Sequence, residues 1–200
     1  MKQSTFLKGL ALLAICFFSF RSNAQITQVA AFSDDQNTDG AALVLTNPGG
    51  FAIGNVMIAN IVQNDNDAGV ALSNPTAPTG WTLIDGRSLG SNGNNDWWGA
   101  VFYKVVTASD VAAASFDFTP DSDADATSGG ILVFRNVLAS NIFDVTPGTI
   151  NVANSDDLSA TAITTVTANA AVIMLGMVGT ERTFSGWNTT SPGTLTESFD

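Results

Sequence analysis

The chain has 200 residues, 45% of them hydrophobic, with 18 acidic and seven basic side chains, no histidine and a single cysteine. So large an acidic excess repels phosphate backbones and anionic lipid, which argues against nucleic-acid and membrane-surface partners. With no histidine and no cysteine beyond Cys16, Ser-His-Asp hydrolysis, thiol catalysis and ordinary zinc sites are excluded for any domain downstream of residue 16.

Lys2 and Lys8 precede a 12-residue apolar run, Gly9 to Phe20, followed by Arg21 and the triplet Ser22-Asn23-Ala24. These are the charged, apolar and small-residue parts of a secretory signal peptide over residues 1–24, cut before Gln25. The run is short of the roughly 20 residues that a membrane-spanning helix needs. Cys16 suits lipid attachment badly, because Ile15 is not small and Phe17-Phe18 continue the apolar run. Cleavage leaves four basic groups (Arg87, Lys104, Arg135, Arg182) against 18 acidic ones, a net charge of −14 that suits solubility outside the cell. The mature chain cannot form a disulfide and must be stable through its core. Its length is enough for that, since a chain near 150 residues already buries about 70% of its unfolded surface. One domain over 25–200, secreted or at the cell surface, is expected.

Downstream of Gln25, short apolar runs are broken by Gly, Pro, Asn and Asp, the punctuation of an all-β fold. Ile26 to Phe32 is the first expected strand and Ala41 to Leu45 the second. Val56 to Val62 is apolar at nearly every position, so it belongs in the middle of a sheet with both faces covered. After a loop from Gln63, Pro78-Thr79-Gly80 turns the chain and Trp81 anchors a strand over Thr82 to Ile84. Gly86 to Asp96 is almost all Gly, Ser and Asn and reads as an exposed loop. In the strand Ala100 to Val106, Val101, Tyr103 and Val105 share one face, and Phe102 and Lys104 the other. Ser115 to Thr119 alternates strictly, which sends Phe116 and Phe118 inward and Asp117 to water. Asp121 to Thr127 reads as a hairpin loop before Ile131 to Phe134, Ala162 to Thr167 as an edge strand, and Ala171 to Val178 as a buried strand. No helix of ordinary length shows a 3.6-residue period. The fold class is therefore all-β, a two-sheet antiparallel β-sandwich with jelly-roll or Greek-key connections.

The order of Gly54-Asn55-Val56-Met57-Ile58-Ala59, Pro78 to Ile84, Tyr103 to Asp110, Phe116 to Thr119 and Gly130 to Val137 resembles a β-sandwich module. That module recurs in secreted and cell-surface proteins of bacteria and in phage tail-fibre-like proteins. The leader ending at Asn23-Ala24-Gln25 and the region Trp187 to Phe199 resemble its versions in large exported proteins of Bacteroidota, which often end in a sorting domain for the type IX secretion route. Asn55 departs from the Asp usual at that position. Members continue past a segment like Leu195 to Asp200, so the resemblance implies the N-terminal part of a longer protein, lacking its last strands and adhesive or structural in role. None of the shared motifs is catalytic.

Two patterns carry chemistry at first sight. Gly86-Arg87-Ser88-Leu89-Gly90 spells G-x-S-x-G, yet no helix pattern follows and no histidine can take the serine proton. Asp121-Ser122-Asp123-Ala124-Asp125 has the alternating carboxylates of a calcium loop, but Ala126 and Leu132 stand where an EF-hand needs Gly and Glu, and a solvated tip is the expectation. Trp97, Trp98 and Trp187 leave open a carbohydrate-binding module with surface glycans as ligands, and other extracellular proteins are the alternative partners. A carboxylate pair could still run glycan hydrolysis without histidine. The expectation is of no catalytic residues, no metal ligands and no cofactor, with the ligand unassigned. If a partner binds anywhere, the stretch from Gly86 to Trp98 is where to look.

Overall fold

A computed structural model describes residues 25–67, 71–92, 94–152, 158–178 and 198. The leader, Arg182 and Trp187 lie outside the described residues. The fold is all-β. Strands β1 (Thr27–Gln36), β7 (Ala126–Arg135), β3 (Val56–Asp65), β5 (Asn95–Val105) and β4 (Thr82–Asn92) form a five-stranded antiparallel sheet in that order. Strands β2 (Leu43–Thr46) and β6 (Ser115–Phe118) form a two-stranded sheet packed against one face of it. The chain passes between layers at β1–β2, β2–β3, β5–β6 and β6–β7, as a sandwich requires.

The apolar run of β3 takes the central position expected of it, between β7 and β5. Its odd residues Met57, Ala59 and Ile61 face the small sheet, where they meet Leu43, Leu45, Phe116 and Phe118 in one buried cluster with Phe102, Ile131 and Val133. Its even residues Val56 and Ile58 enter a second cluster on the outer face, with Val101, Leu132 and Phe134. Alternation in β5 and β6 is as the sequence requires: Phe102 faces inward, Val101 and Tyr103 outward, and Asp117 stands exposed between two buried phenylalanines.

The sequence and the structure part at four places. Gly86 to Asp96 is not a loop: β4 runs through Asn92 and β5 starts at Asn95, so the small residues lie along a strand ladder opposite Trp97 and Trp98. Bulges at Ile84 and Leu89 accommodate that pairing. Asp121 to Thr127 does not close a hairpin, because β6 pairs with β2 and β7 with β1 and β3. Ala162 to Thr167 and Ala171 to Val178 form no strands. Ile173, Leu175 and Met177 instead lay every second side chain onto the outer face of the large sheet, with backbones that join no ladder.

A short helix, α1 (Ala108–Ala112), follows β5. Its start is held by Asp110, whose carboxylate accepts the Thr107 N–H at 2.8 Å and the Thr107 hydroxyl at 2.7 Å. The same carboxylate pairs with the Lys104 ammonium at 2.6 Å, and both side chains are nearly buried. Lys104 also donates to Thr79 O at 2.8 Å. The turn at Pro78–Trp81 closes through Trp81 N–H to Pro78 O, with Gly80 at φ +89°, the left-handed value that position i+2 of a type II turn needs. A Cβ on Gly80 would stand 3.0 Å from Lys104 Cε, so glycine also makes room for the lysine. Trp81 then sets its ring edge-to-face against Phe116 and Phe118 at 5.9 and 5.3 Å. It is partly rather than wholly buried, but it is the core anchor expected.

Burial works against ionisation of Asp110, but Lys104 and Thr107 outweigh it and lower the carboxyl pKa from 3.8. A carboxylate with a depressed folded-state pKa adds stability above its unfolded pKa that is lost as pH falls through the folded one. Urea-unfolding midpoints should therefore be level above about pH 5 and decline below about pH 4. In Asp110→Asn the midpoint at neutral pH should be lower and the acid decline smaller. An unchanged acid decline in that variant would remove Asp110 from this account.

Candidate functional site

The sequence-marked residues fall in three places. The G-x-S-x-G stretch lies along β4, where Ser88 Oγ accepts the Gly90 N–H at 3.2 Å. A strand in a ladder gives none of the sharp strand-to-helix turn that exposes a nucleophile, so the motif is a coincidence of spelling.

The alternating acids serve as loop anchors. Asp121 accepts the Ser73 hydroxyl and the N–H groups of Ser73 and Asp123, at 3.0 and 3.3 Å. Asp125 accepts Asn66 N–H at 2.7 Å. Gln63, buried at the end of β3, accepts Asp121 N–H at 3.0 Å. Hydrogen bonds led by that of the Ser73 side chain lower the Asp121 pKa despite burial. Among the described residues no three His, Cys, Asp or Glu side chains converge in a way that could hold a metal ion.

Trp97 and Trp98 stand next to each other in β5 and so point to opposite faces of the large sheet, both half-buried. Trp98 Nε1 donates to Asn74 Oδ1 at 2.8 Å. That amide rests directly on Gly86, where any Cβ would collide with it. The glycine of the supposed loop is therefore a seat for a side chain from 12 residues upstream.

The site that sequence reasoning missed lies on the outer face of the large sheet. Between that face and residues 137–152 and 158–178 is a cavity of about 290 Å³. Ile58, Val101 and Phe134 form its floor, and Ile173, Leu175 and Met177 much of its roof. The roof is pinned at several points. Tyr103 and Phe143 meet edge-to-face at 4.9 Å, and a Cβ on Gly99 would be only 2.6 Å from Met177 Sδ.

Among the described residues, two charged side chains line the cavity, Asp85 and Asp144. Asp85, in β4, accepts Ile150 N–H at 2.7 Å and pairs with Arg87 at 3.0 Å. Burial opposes its charge, but Ile150 and Arg87 prevail and the pKa is lowered. Asp144 accepts Val166 N–H at 2.6 Å and Thr167 N–H at 3.0 Å, and hydrogen bonds from Thr167 and then Val166 lower its pKa as well. Each carboxylate thus clips a distant part of the roof segment to its place. The apolar content of Ala171 to Val178 was visible in the sequence, but the partnership of Asp85 with Ile150, 65 positions apart, left no local signal.

Comparison with protein families, with curated proteins and with solved structures finds no match to this chain.

Gly86→Ala should displace the Asn74 amide and cost about 1–3 kcal/mol, since Trp98 loses its acceptor and the neighbouring backbone must shift. Denaturant unfolding gives the cost, and a red shift of tryptophan emission reports the freed indole. Unchanged stability and emission would show that Asn74 does not rest on this glycine.

Proposed function

We propose that the chain is a non-enzymatic β-sandwich module of an exported protein, structural or adhesive in role, acting outside the cell or at its surface. The observation that carries this reading is how the acids are used. Among the described residues, the four with lowered pKa, Asp85, Asp110, Asp121 and Asp144, each hold backbone N–H groups of a loop or turn in place. A general acid needs a raised pKa near the working pH, and these carboxyls are shifted the opposite way. Carboxylates spent on holding loops, in a chain with 18 acidic and seven basic side chains, suit a spacer or a contact module. The leader pattern and the resemblance to surface-protein modules support the same location, with surface glycans or other extracellular proteins as partners.

Protein recovered from the medium or the cell surface should begin at Gln25, and the purified protein should turn over no ester, peptide or glycoside probe. Hydrolysis that disappears in Asp85→Asn or Asp144→Asn would overturn the non-enzymatic reading. A glycan-array signal abolished by Trp97→Ala or Trp98→Ala would make the module a carbohydrate binder. Retention of an uncleaved chain in the cytoplasm would contradict the location.

A further inference from the structure

The outer-face cavity differs in kind from the rest of the molecule. Its volume of about 290 Å³ is close to the lower end of small-molecule sites, about 300–1,000 Å³. An apolar protein cavity of about 150 Å³ already takes up benzene. The inner face of the same sheet is filled by interlocking strands, whereas here the described roof residues have no regular structure. Among the described residues, four of the eight large apolar side chains left exposed, Leu138, Val152, Ile163 and Val166, belong to that roof segment, and Ile163 also lines the cavity.

Charge decides which molecule would suit it. Among the described residues, the lining holds two carboxylates and no cation. Asp85 is neutralised by Arg87. Asp144 lies within the cavity lining, is partly open to solvent and makes no ion pair among the described residues. Its three donors, the N–H groups of Val166 and Thr167 and the Thr167 side chain, leave one acceptor position free, since a carboxylate has about four lone-pair sites. Lys104 is committed to Asp110. A negative, solvent-reachable group at an apolar cavity in a strongly acidic chain favours a ligand with an apolar body and one positive end, and disfavours the matching anion.

We infer that the cavity between the outer sheet face and residues 137–152 and 158–178 binds small amphiphilic amines, with the alkyl or aryl part over Ile58, Val101 and Phe134 and the ammonium at Asp144. The site extends the module's role from surface contact to capture of a small hydrophobic cation, and it does not depend on which macromolecule the exterior meets.

Calorimetric titration of the full chain with n-octylammonium, octanol and octanoate tests the inference. Octylammonium should bind saturably with a Kd on the order of 0.1 mM, and octanoate at least about tenfold more weakly. Asp144→Asn should bring octylammonium down to the level of octanol. Leu175→Trp, which fills the cavity, should abolish binding of both. If that variant does not fold, methyl resonances of the unsubstituted protein decide instead: those of Ile58 and Leu175 should move with octylammonium, and those of Leu43 and Leu45, on the opposite face, should not. No saturable binding, equal binding of octanoate, or methyl shifts spread over the acidic surface would each overturn the inference. So would octylammonium binding that survives in folded Leu175→Trp.

Discussion

The pairing of Lys104 with Asp110 is the constraint on which the inner half of the molecule depends. Both groups are nearly out of water, where an unpartnered charge costs several kcal/mol. Neither can be left alone, and each recruits backbone to complete its hydrogen bonds. Lys104 draws in Thr79 O and with it the turn that delivers Trp81. Asp110 draws in Thr107 and starts α1. Asn47 then donates to the carbonyls of Asp110 and Ala113 at 3.0 and 2.8 Å, which ties the end of β2 to the same point. One ion pair thus fixes three connections around the small sheet, and the Trp81–Phe116–Phe118 packing follows from where those connections end.

The two faces of the large sheet are closed by different physics. On the inner face, strands β2 and β6 bring alternating Leu and Phe side chains that interlock with β3, β5 and β7. On the outer face, a segment without regular structure is held by side chains reaching down and by carboxylates reaching across. Regular pairing gives dense packing, because each side chain has a fixed height and spacing above the sheet. An irregular cover has no such spacing, and the cavity lies beneath it. The same division explains the electrostatics: acids on the inner side close turns, while those on the outer side pin the cover.

Much of this fold was legible because its strongest signals are local. The unbroken apolar run of β3, the alternation of Phe116-Asp117-Phe118 and the Pro-Thr-Gly turn each depend on neighbours in sequence, and each took its expected place. Gly86 to Asp96 misled because Gly, Ser and Asn are poor strand formers on their own. Pairing with β5 overrides that preference, and small residues opposite Trp97 and Trp98 leave the indoles room. Ala171 to Val178 misled in the other direction. Its side chains alternate as in a strand, but it crosses the face of a sheet rather than an edge, so its backbone finds no ladder to join. The cavity and its carboxylates were illegible for a related reason. Asp85 meets Ile150 and Asp144 meets Val166 across separations that no residue pattern marks.

A double-mutant cycle on Lys104→Met and Asp110→Asn, read by urea unfolding at neutral pH, tests the central constraint most directly. Each single change leaves a group without its partner and should cost about 3–5 kcal/mol, while the double variant should be far less than additive, with a coupling of about 2 kcal/mol or more. Additive losses within about 0.5 kcal/mol would contradict the account, since the two residues would then stabilise the fold independently of each other.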